Sequence, residues 1–310
     1  MKNTYACNLI IDSCCDLPTS IINRPGIELL KFPYTMSDGE HLDDMFTAQT
    51  PREFYDSIRN GEAPTTAQLS LSCMTVAFTN AAISGIPTVF LCFGSGLSGT
   101  YDSACMALDH VHADYPEAEI YIVDTHLASI AEGLLVAEAC RQREKGMSAS
   151  ELVAWAREAV YYVNCLFMVE DLASLSRGGR LPSVGAYLGS KLDVKPLCNF
   201  DLDGRLTMTG IARGRKKGLR ALAQTFEKGA VEESTPSHVF LGHSDCEKDC
   251  ARLKDLILRV QPDALIIECN IGPVIGSHVG PGMVAVAFWG SDRRETISFT
   301  DKLARSIKNK

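Results

Sequence analysis

Short apolar runs alternate with helical patterns along the first half of the chain. The apolar runs predict buried strands, because they are brief and bounded by turn residues; they lie at residues 6–13, 86–93 and 119–124. Helical patterns separate and follow them, at residues 50–61, 72–85, 99–113, 128–146 and 148–163. This alternation predicts an N-terminal α/β/α domain with a parallel sheet and helices on both faces.

Residues at the ends of these patterns support the predicted helices. Thr50 precedes Pro51, which is the order expected of an N-cap followed by the first helical residue. Ser148 and Glu151 have the spacing of a capping box. Gly146 follows a basic stretch, as at many helix C-termini.

The pattern changes after residue 164 and predicts a C-terminal α/β domain with a mixed sheet. Asp203-Gly204 is a hairpin signal between two strand patterns within residues 194–214. Further strand patterns lie at residues 165–171, 237–245, 264–269 and 283–290, and helical ones at 172–181, 183–192, 215–229 and a stretch ending at 260. We therefore predict two domains, residues 1–165 and 166–310.

Composition and charge exclude several classes of protein. Hydrophobic residues make up 46% of the 310 residues and charged residues 22%, which is a normal balance for a globular protein. The formal net charge of −8 argues against nucleic-acid binding over the whole surface. No apolar run approaches the roughly 20 residues that span a bilayer, and the N-terminus lacks a signal-peptide pattern. We expect a cytoplasmic protein without stable membrane insertion.

The 12 cysteines are expected to be free thiols. Most lie inside apolar runs, where an unpaired cysteine behaves as a small hydrophobic residue. The spacing of Cys246 and Cys250, with His243 nearby, is a weak signal for a metal site, because three ligands on one short segment rarely suffice. We predict no metal.

A glycine loop after the second apolar run carries the first chemical signal. Gly94, Gly96 and Gly99 fit the pattern G-x-G-x-x-G, and Asp124 follows Gly99 by 25 residues. These features outline a dinucleotide-binding fingerprint. An NAD-dependent oxidoreductase that uses the Gly94–Gly99 loop is therefore an alternative function.

The same loop also suits a carboxylate. It does not follow the first strand of the domain, where a dinucleotide fingerprint normally lies. Ser95, Ser98 and Thr100 add hydroxyl groups to the backbone N–H groups of the turn, and such groups at a helix N-terminus bind anions. The residues alone leave open whether the anion is a pyrophosphate, a carboxylate or none.

Two further polar segments are candidates for ligand binding. Residues 64–70 include Thr66 and Gln68 just before a helical pattern. Residues 272–282 place His278 among glycines and prolines, and this composition predicts a loop rather than a helix or strand.

Seven stretches, taken in order, resemble the DegV family over nearly the full length of the chain. Each is modest alone, but their shared order is specific; they are IIDSCCDLP (10–18), PTTAQLS (64–70), GSGLSGTYDSA (94–104), VDTHLASIAEGLLVAEA (123–139), VEDLASLSRGGRL (169–181), DGRLTMTGIARGRKKGL (203–219) and GPVIGSHVGPG (272–282). The family comprises fatty-acid-binding subunits of bacterial fatty acid kinase.

The resemblance implies a non-catalytic carrier that buries a long-chain fatty acid in a tunnel between its two domains and needs no cofactor. A separate ATP-dependent kinase subunit would then phosphorylate the carboxylate for phospholipid synthesis. By matching motifs, the carboxylate contacts fall on Thr66, Ser95 and His278. Supporting loop positions are Gly96, Ser98, Gly276 and Ser277.

This implied role agrees with elementary energetics. Burial of an acyl chain contributes roughly 0.8 kcal/mol per CH₂, and the carboxylate must be hydrogen-bonded once it leaves water. A protonated His278 is expected to be the one cation at the carboxylate. A carrier of another small carboxylate stays open as a further alternative.

Two basic clusters stand out in this acidic chain and are expected to dock the kinase. One contains Arg177 and Arg180; the other contains Arg213, Arg215 and Lys216. The second cluster precedes a predicted helix, where cations are mildly unfavourable. A negatively charged partner surface would explain that placement.

Overall fold

A computed structural model describes residues 5–170, 172–181, 193–230 and 238–295. The predicted helix at 183–192 lies outside the described residues. The strands are β1 (Asn8–Asp12), β2 (Ile27–Leu30), β3 (Pro33–Met36), β4 (Gly39–Leu42), β5 (Thr65–Thr66), β6 (Thr88–Cys92), β7 (Ile120–Asp124), β8 (Val163–Met168), β9 (Val194–Phe200), β10 (Leu206–Arg213), β11 (His238–His243), β12 (Leu265–Asn270) and β13 (Val284–Trp289).

The helices alternate with these strands much as the periodicity predicts. They are α1 (Thr19–Ile22), α2 (Pro51–Arg59), α3 (Leu71–Ser84), α4 (Thr100–Asp114), α5 (Ser129–Glu144), α6 (Ala149–Ala159), α7 (Ala173–Arg177), α8 (Arg215–Gly229), α9 (Glu247–Val260) and α10 (Pro273–Val279). Both predicted helix starts are confirmed, since Thr50 and Ser148 each complete a capping box with the glutamate three residues later.

The first sheet is parallel, as predicted. Its strand order is β2-β1-β6-β7, and every neighbouring pair is parallel. The carboxyl ends of parallel strands meet at one edge, so the residues that follow β1, β6 and β7 come together there. This edge carries Asp12, the glycine loop and Asp124.

The second sheet is mixed, which confirms the second half of the fold prediction. Its order is β10-β9-β8-β13-β11-β12, and within it β11 and β12 are the parallel pair. β8 begins at Val163 and belongs to this sheet, close to the predicted boundary at residue 165. The division into two domains stays a prediction.

A small third sheet was not anticipated. β3 pairs with both β4 and β5 in antiparallel register, and Tyr34 lies opposite Thr66. These strands are two to four residues long and half exposed, so they are too short for a hydrophobic pattern to predict them. The sheet matters because it carries Thr66.

The loop predicted around His278 is wrong, because Pro273–Val279 form α10. Pro273 takes the first helical position, where no backbone N–H is needed. Gly280 ends the helix with φ of 71°, a conformation open to glycine. The glycines and prolines therefore mark the ends of a short helix.

Helix α5 lies between the two large sheets and is buried on nearly all sides. It packs against β8, β11 and β13, and against the 3₁₀ turn Ser13–Cys15. Gly133 permits the closest approach, since a Cβ there would lie 2.4 Å from the Cys15 carbonyl oxygen.

Four acidic side chains are buried where α5 meets the edge of the parallel sheet. Asp12, Asp16, Asp43 and Glu132 are each at most 4% exposed. Burial raises the pKa of Asp12 to about 7 and that of Glu132 well above its ordinary value, with Asp12 and Asp16 adding to the rise at Glu132. The side chains of Asp12 and Glu132 also hydrogen-bond to each other, which raises the pKa of Glu132 further.

No described helix is long and apolar enough to cross a lipid bilayer.

The Glu132→Gln variant tests whether this carboxyl is protonated in the folded protein. A glutamate whose pKa is higher in the folded than in the unfolded state stabilises the protein at low pH. This stabilisation is lost progressively as the pH rises above the ordinary pKa of glutamate. The variant cannot ionise, so its free energy of unfolding should exceed that of the wild type by an amount that grows with pH. This difference in the free energy of unfolding should increase by up to about 1.4 kcal/mol per pH unit.

Urea unfolding of both proteins between pH 5 and pH 8 measures this difference. The matched control is Glu117→Gln, which changes an exposed glutamate. A difference that stays constant across this range would show that Glu132 does not carry a buried proton.

Candidate functional site

A cavity lies between the parallel and mixed sheets and is lined by both halves of the chain. It encloses about 730 Å³ of space, counting the open solvent at its mouth. Most of the lining is apolar and aromatic; it includes Phe32, Phe93, Phe167, Phe200, Leu206 and Met283. Such a wall suits a long hydrocarbon chain.

The structure brings Thr66 and His278 together in the lining of this cavity. The Thr66 hydroxyl and Nε2 of His278 are 2.8 Å apart, although the residues are 212 positions apart in sequence. Thr66 is held by β5 and His278 by α10. Two of the three predicted carboxylate contacts therefore form one polar group.

His278 is neutral at physiological pH. Burial, and then the nearby charge of Arg180, lower the pKa of His278 to about 4. A protonated His278 is therefore not expected in the ligand-free protein, and its charge beside a bound carboxylate stays a prediction.

Arg180 adds a positive charge to the wall of the cavity. It lines the cavity, and its Nη1 and Nε donate to the carbonyls of Gly178 and Leu97 at 2.6 Å and 3.2 Å. Gly178 leaves room for the histidine, because a Cβ there would lie 2.2 Å from Nδ1 of His278. The sequence places Arg180 in a docking cluster, but the structure places it beside the ligand site.

The glycine loop contributes Ser98 to the lining, but not Ser95. The Ser98 hydroxyl contacts that of Thr100 at 2.9 Å. Ser95 is exposed, and its backbone N–H donates to Asp124 at 3.0 Å. The assignment of Ser95 to the carboxylate stays a prediction.

The glycine loop packs against protein backbone, which removes the geometric basis of the dinucleotide hypothesis. A Cβ on Gly96 would lie 2.4 Å from the carbonyl oxygen of Asp203, in the turn between β9 and β10. Asp124, the candidate ribose ligand, accepts the N–H groups of Ser95 and His126. Gly96 therefore makes room for the hairpin, and Gly94 for the backbone of Leu127.

The two supporting positions on α10 serve the helix itself. The Ser277 hydroxyl donates to the Pro273 carbonyl at 2.7 Å. Gly276 allows α10 to approach α2, since a Cβ there would lie 2.5 Å from the Tyr55 hydroxyl oxygen.

The remaining basic residues differ in their surroundings. Arg215 is bound to Asp249, Glu170 and the Gly282 carbonyl, so it stabilises the fold. Arg177, Arg213 and Lys216 are exposed, as expected of docking residues.

Gln68 is a cavity residue to which sequence reasoning gave no role. Its amide lies in the lining and donates to the Ser103 hydroxyl at 2.7 Å. A Cβ on Gly99 would lie 2.4 Å from its Oε1, so this glycine is needed beside the glutamine. Its place just after Thr66 was the signal that could have identified it.

Comparison with known proteins gives the same fold and a family. A DegV domain-containing protein of Clostridium perfringens is 36% identical over 285 residues, which cover 92% of this chain and 98% of that protein. A Streptococcus pyogenes protein of the same designation is 31% identical over 287 residues, with 92% and 99% coverage.

Solved structures agree with this result. A lipid-binding DegV protein from Thermotoga maritima superimposes with a TM-score of 0.77 at 26% identity, covering 92% of this chain and 99% of that one. A fatty-acid-binding DegV family protein from Thermus thermophilus does so with a TM-score of 0.79 at 27% identity, covering 92% and 100%. A family model described as an uncharacterised protein of the DegV family matches residues 6–290, so the chain belongs to the DegV family.

Proposed function

We propose that the protein is a carrier of long-chain fatty acids that presents the carboxylate to a separate kinase. The observation that carries this proposal is the asymmetry of the cavity. Thr66, His278 and Arg180 form one polar group in a wall that is otherwise mainly apolar. A molecule with one anionic end and a long hydrocarbon tail matches that wall, and structures of relatives are described as fatty-acid-binding.

The carboxylate would be held by one cation and a hydroxyl. When neutral His278 donates from Nε2 to the Thr66 oxygen, the hydroxyl proton of Thr66 is left to donate to the ligand. Arg180 balances the negative charge, which would be costly to bury alone. This arrangement binds and orients the carboxylate without attacking it, which fits a non-catalytic role.

The hydrocarbon chain supplies most of the affinity. Each buried CH₂ contributes roughly 0.8 kcal/mol, so affinity should rise steeply with chain length. A carrier of short carboxylates would gain nothing from the five or more aromatic and aliphatic side chains that line the cavity.

Phosphorylation is the finer part of the proposal. It rests on the resemblance to subunits of fatty acid kinase, and we infer that ATP is bound by the partner. Exposed Arg213 and Lys216, at the end of β10 and the start of α8, offer a basic surface to that partner.

Thr66→Val should weaken binding of palmitic acid while leaving the fold intact. The change removes only the hydroxyl, and loss of a hydrogen bond to a charged group costs roughly 1.5–3 kcal/mol, or about 10- to 150-fold in affinity. Isothermal titration with palmitic acid and with butyric acid measures this loss and the dependence on chain length.

Thr65→Val is the matched control, because Thr65 is its neighbour on β5 but is exposed and outside the lining. Equal loss in the two variants would contradict the assignment of Thr66. If butyric acid bound the wild type as tightly as palmitic acid, the carrier would serve small carboxylates instead.

Reversal of two basic charges should separate docking from ligand binding. Arg213→Glu combined with Lys216→Glu should leave palmitic acid affinity unchanged and sharply lower acyl-phosphate formation by the kinase. High salt should have the same effect on the wild type, since steering between opposite charges is screened.

The control is Arg52→Glu with Lys145→Glu, which changes the net charge equally at two other exposed sites. If both double variants slow the kinase equally, net charge is responsible and Arg213 and Lys216 are not a docking site.

A further inference from the structure

The start of α10 is held by side chains from the N-terminal half of the chain. Asp16 accepts the N–H of Gly272 at 2.8 Å, and Asp43 accepts the N–H of Val274 at 3.4 Å. The Tyr55 hydroxyl donates to the Ile271 carbonyl at 2.6 Å. We call Asp16, Asp43 and Tyr55 the α10 clamp.

The two carboxyl groups of the clamp are fully used by these contacts. The other oxygen of Asp16 accepts the Ser129 hydroxyl at 2.5 Å, and the other oxygen of Asp43 accepts the Met45 N–H at 3.0 Å. Burial raises the pKa of Asp43 to about 7 and that of Asp16 well above its ordinary range. Burial of a carboxyl group costs free energy, yet both of these carboxyl groups are buried although neither lines the cavity.

The backbone around the clamp is shaped to place these oxygens. Met45 and Phe46 have φ of 58° and 60°, and Asp16 has φ of 50°, a region that non-glycine residues rarely adopt. Gly272 completes the fit, because a Cβ there would lie 2.7 Å from Oδ1 of Asp16. The strain is consistent with a position specified to within a few tenths of an ångström.

The helix that the clamp holds contributes several walls of the ligand site. Val274, Ile275, His278 and Val279 all line the cavity. His278 follows Val274 by four residues, so one turn of α10 connects the clamp to the Thr66 contact. A small rotation of α10 would separate His278 from Thr66.

We propose that Asp16 and Asp43, with Tyr55, are positioning residues that set the geometry of the ligand site by acting through α10. Their effect on His278 is independent of the ligand, while their effect on affinity rests on the proposed function. An asparagine cannot replace Asp43, because its amide has one acceptor oxygen for two backbone N–H donors. At position 16 an asparagine can still accept the Gly272 N–H and donate to the Ser129 hydroxyl oxygen, so that change is milder.

The pKa of His278, followed by NMR in the ligand-free protein, is the direct readout. Arg180 is the charged group that acts on His278, and Asp12 and Asp43 titrate near 7, well apart from a histidine transition at about 4. Asp43→Asn should raise the pKa of His278 by about one unit or more, as loosening of α10 admits water, and Asp16→Asn should raise it by less. Tyr55→Phe, the mildest change, should raise it less.

Asp12→Asn is the matched control. Asp12 is equally buried and accepts two backbone N–H groups, those of Cys14 and Phe93, but neither belongs to α10. It should lower stability and leave the pKa of His278 unchanged. If all three asparagine variants shift that pKa equally, or if none does, the clamp has no positioning role. Should the aspartate variants fail to fold, an unshifted Tyr55→Phe protein also overturns the proposal.

A double-mutant cycle in palmitic acid affinity tests the link to the ligand site. Asp43→Asn should weaken binding by about tenfold in the wild type, but by less than twofold when His278→Ala is already present. Equal effects in both backgrounds would show general damage and contradict positioning. If wild-type protein does not bind palmitic acid at all, the proposed function fails, and the NMR result still decides the clamp.

Discussion

The burial of a helix start from the C-terminal half against the N-terminal half constrains the rest of the structure. The first N–H groups of a helix lack partners within it and cannot be left without them away from water. Here Asp16 and Asp43 accept two backbone N–H groups at the start of α10. This requirement ties the two halves together at the place where the ligand site forms.

The cavity has polar residues at one place in an apolar wall because the two halves of the chain meet there. His278 meets Thr66 because α10 packs beside β5, and Arg180 reaches the same site through the turn after α7. Elsewhere the facing sheets supply aromatic and aliphatic walls. A neutral imidazole, one hydroxyl and one guanidinium can hold a carboxylate while the hydrophobic effect holds the tail.

The sequence predicts features that depend on local pattern and misses those that depend on packing. The parallel and mixed sheets follow from apolar runs and their spacing, and the motif resemblance selects Thr66 and His278, which meet in the cavity lining. The helix around His278 was missed because its stability comes from side chains of the other half, which glycine and proline content cannot reveal. Arg180 was assigned to docking because nothing local distinguishes a basic residue that faces a cavity from one on the surface.

Mass spectrometry of an organic extract from native, untagged protein tests the central claim most directly. The account predicts a long-chain fatty acid in near-stoichiometric amount, because a cavity with one anion-binding subsite and apolar walls matches a molecule with a carboxylate and a long hydrocarbon tail. An extract that contains nucleotides or short polar acids, and no long-chain acid, would contradict it.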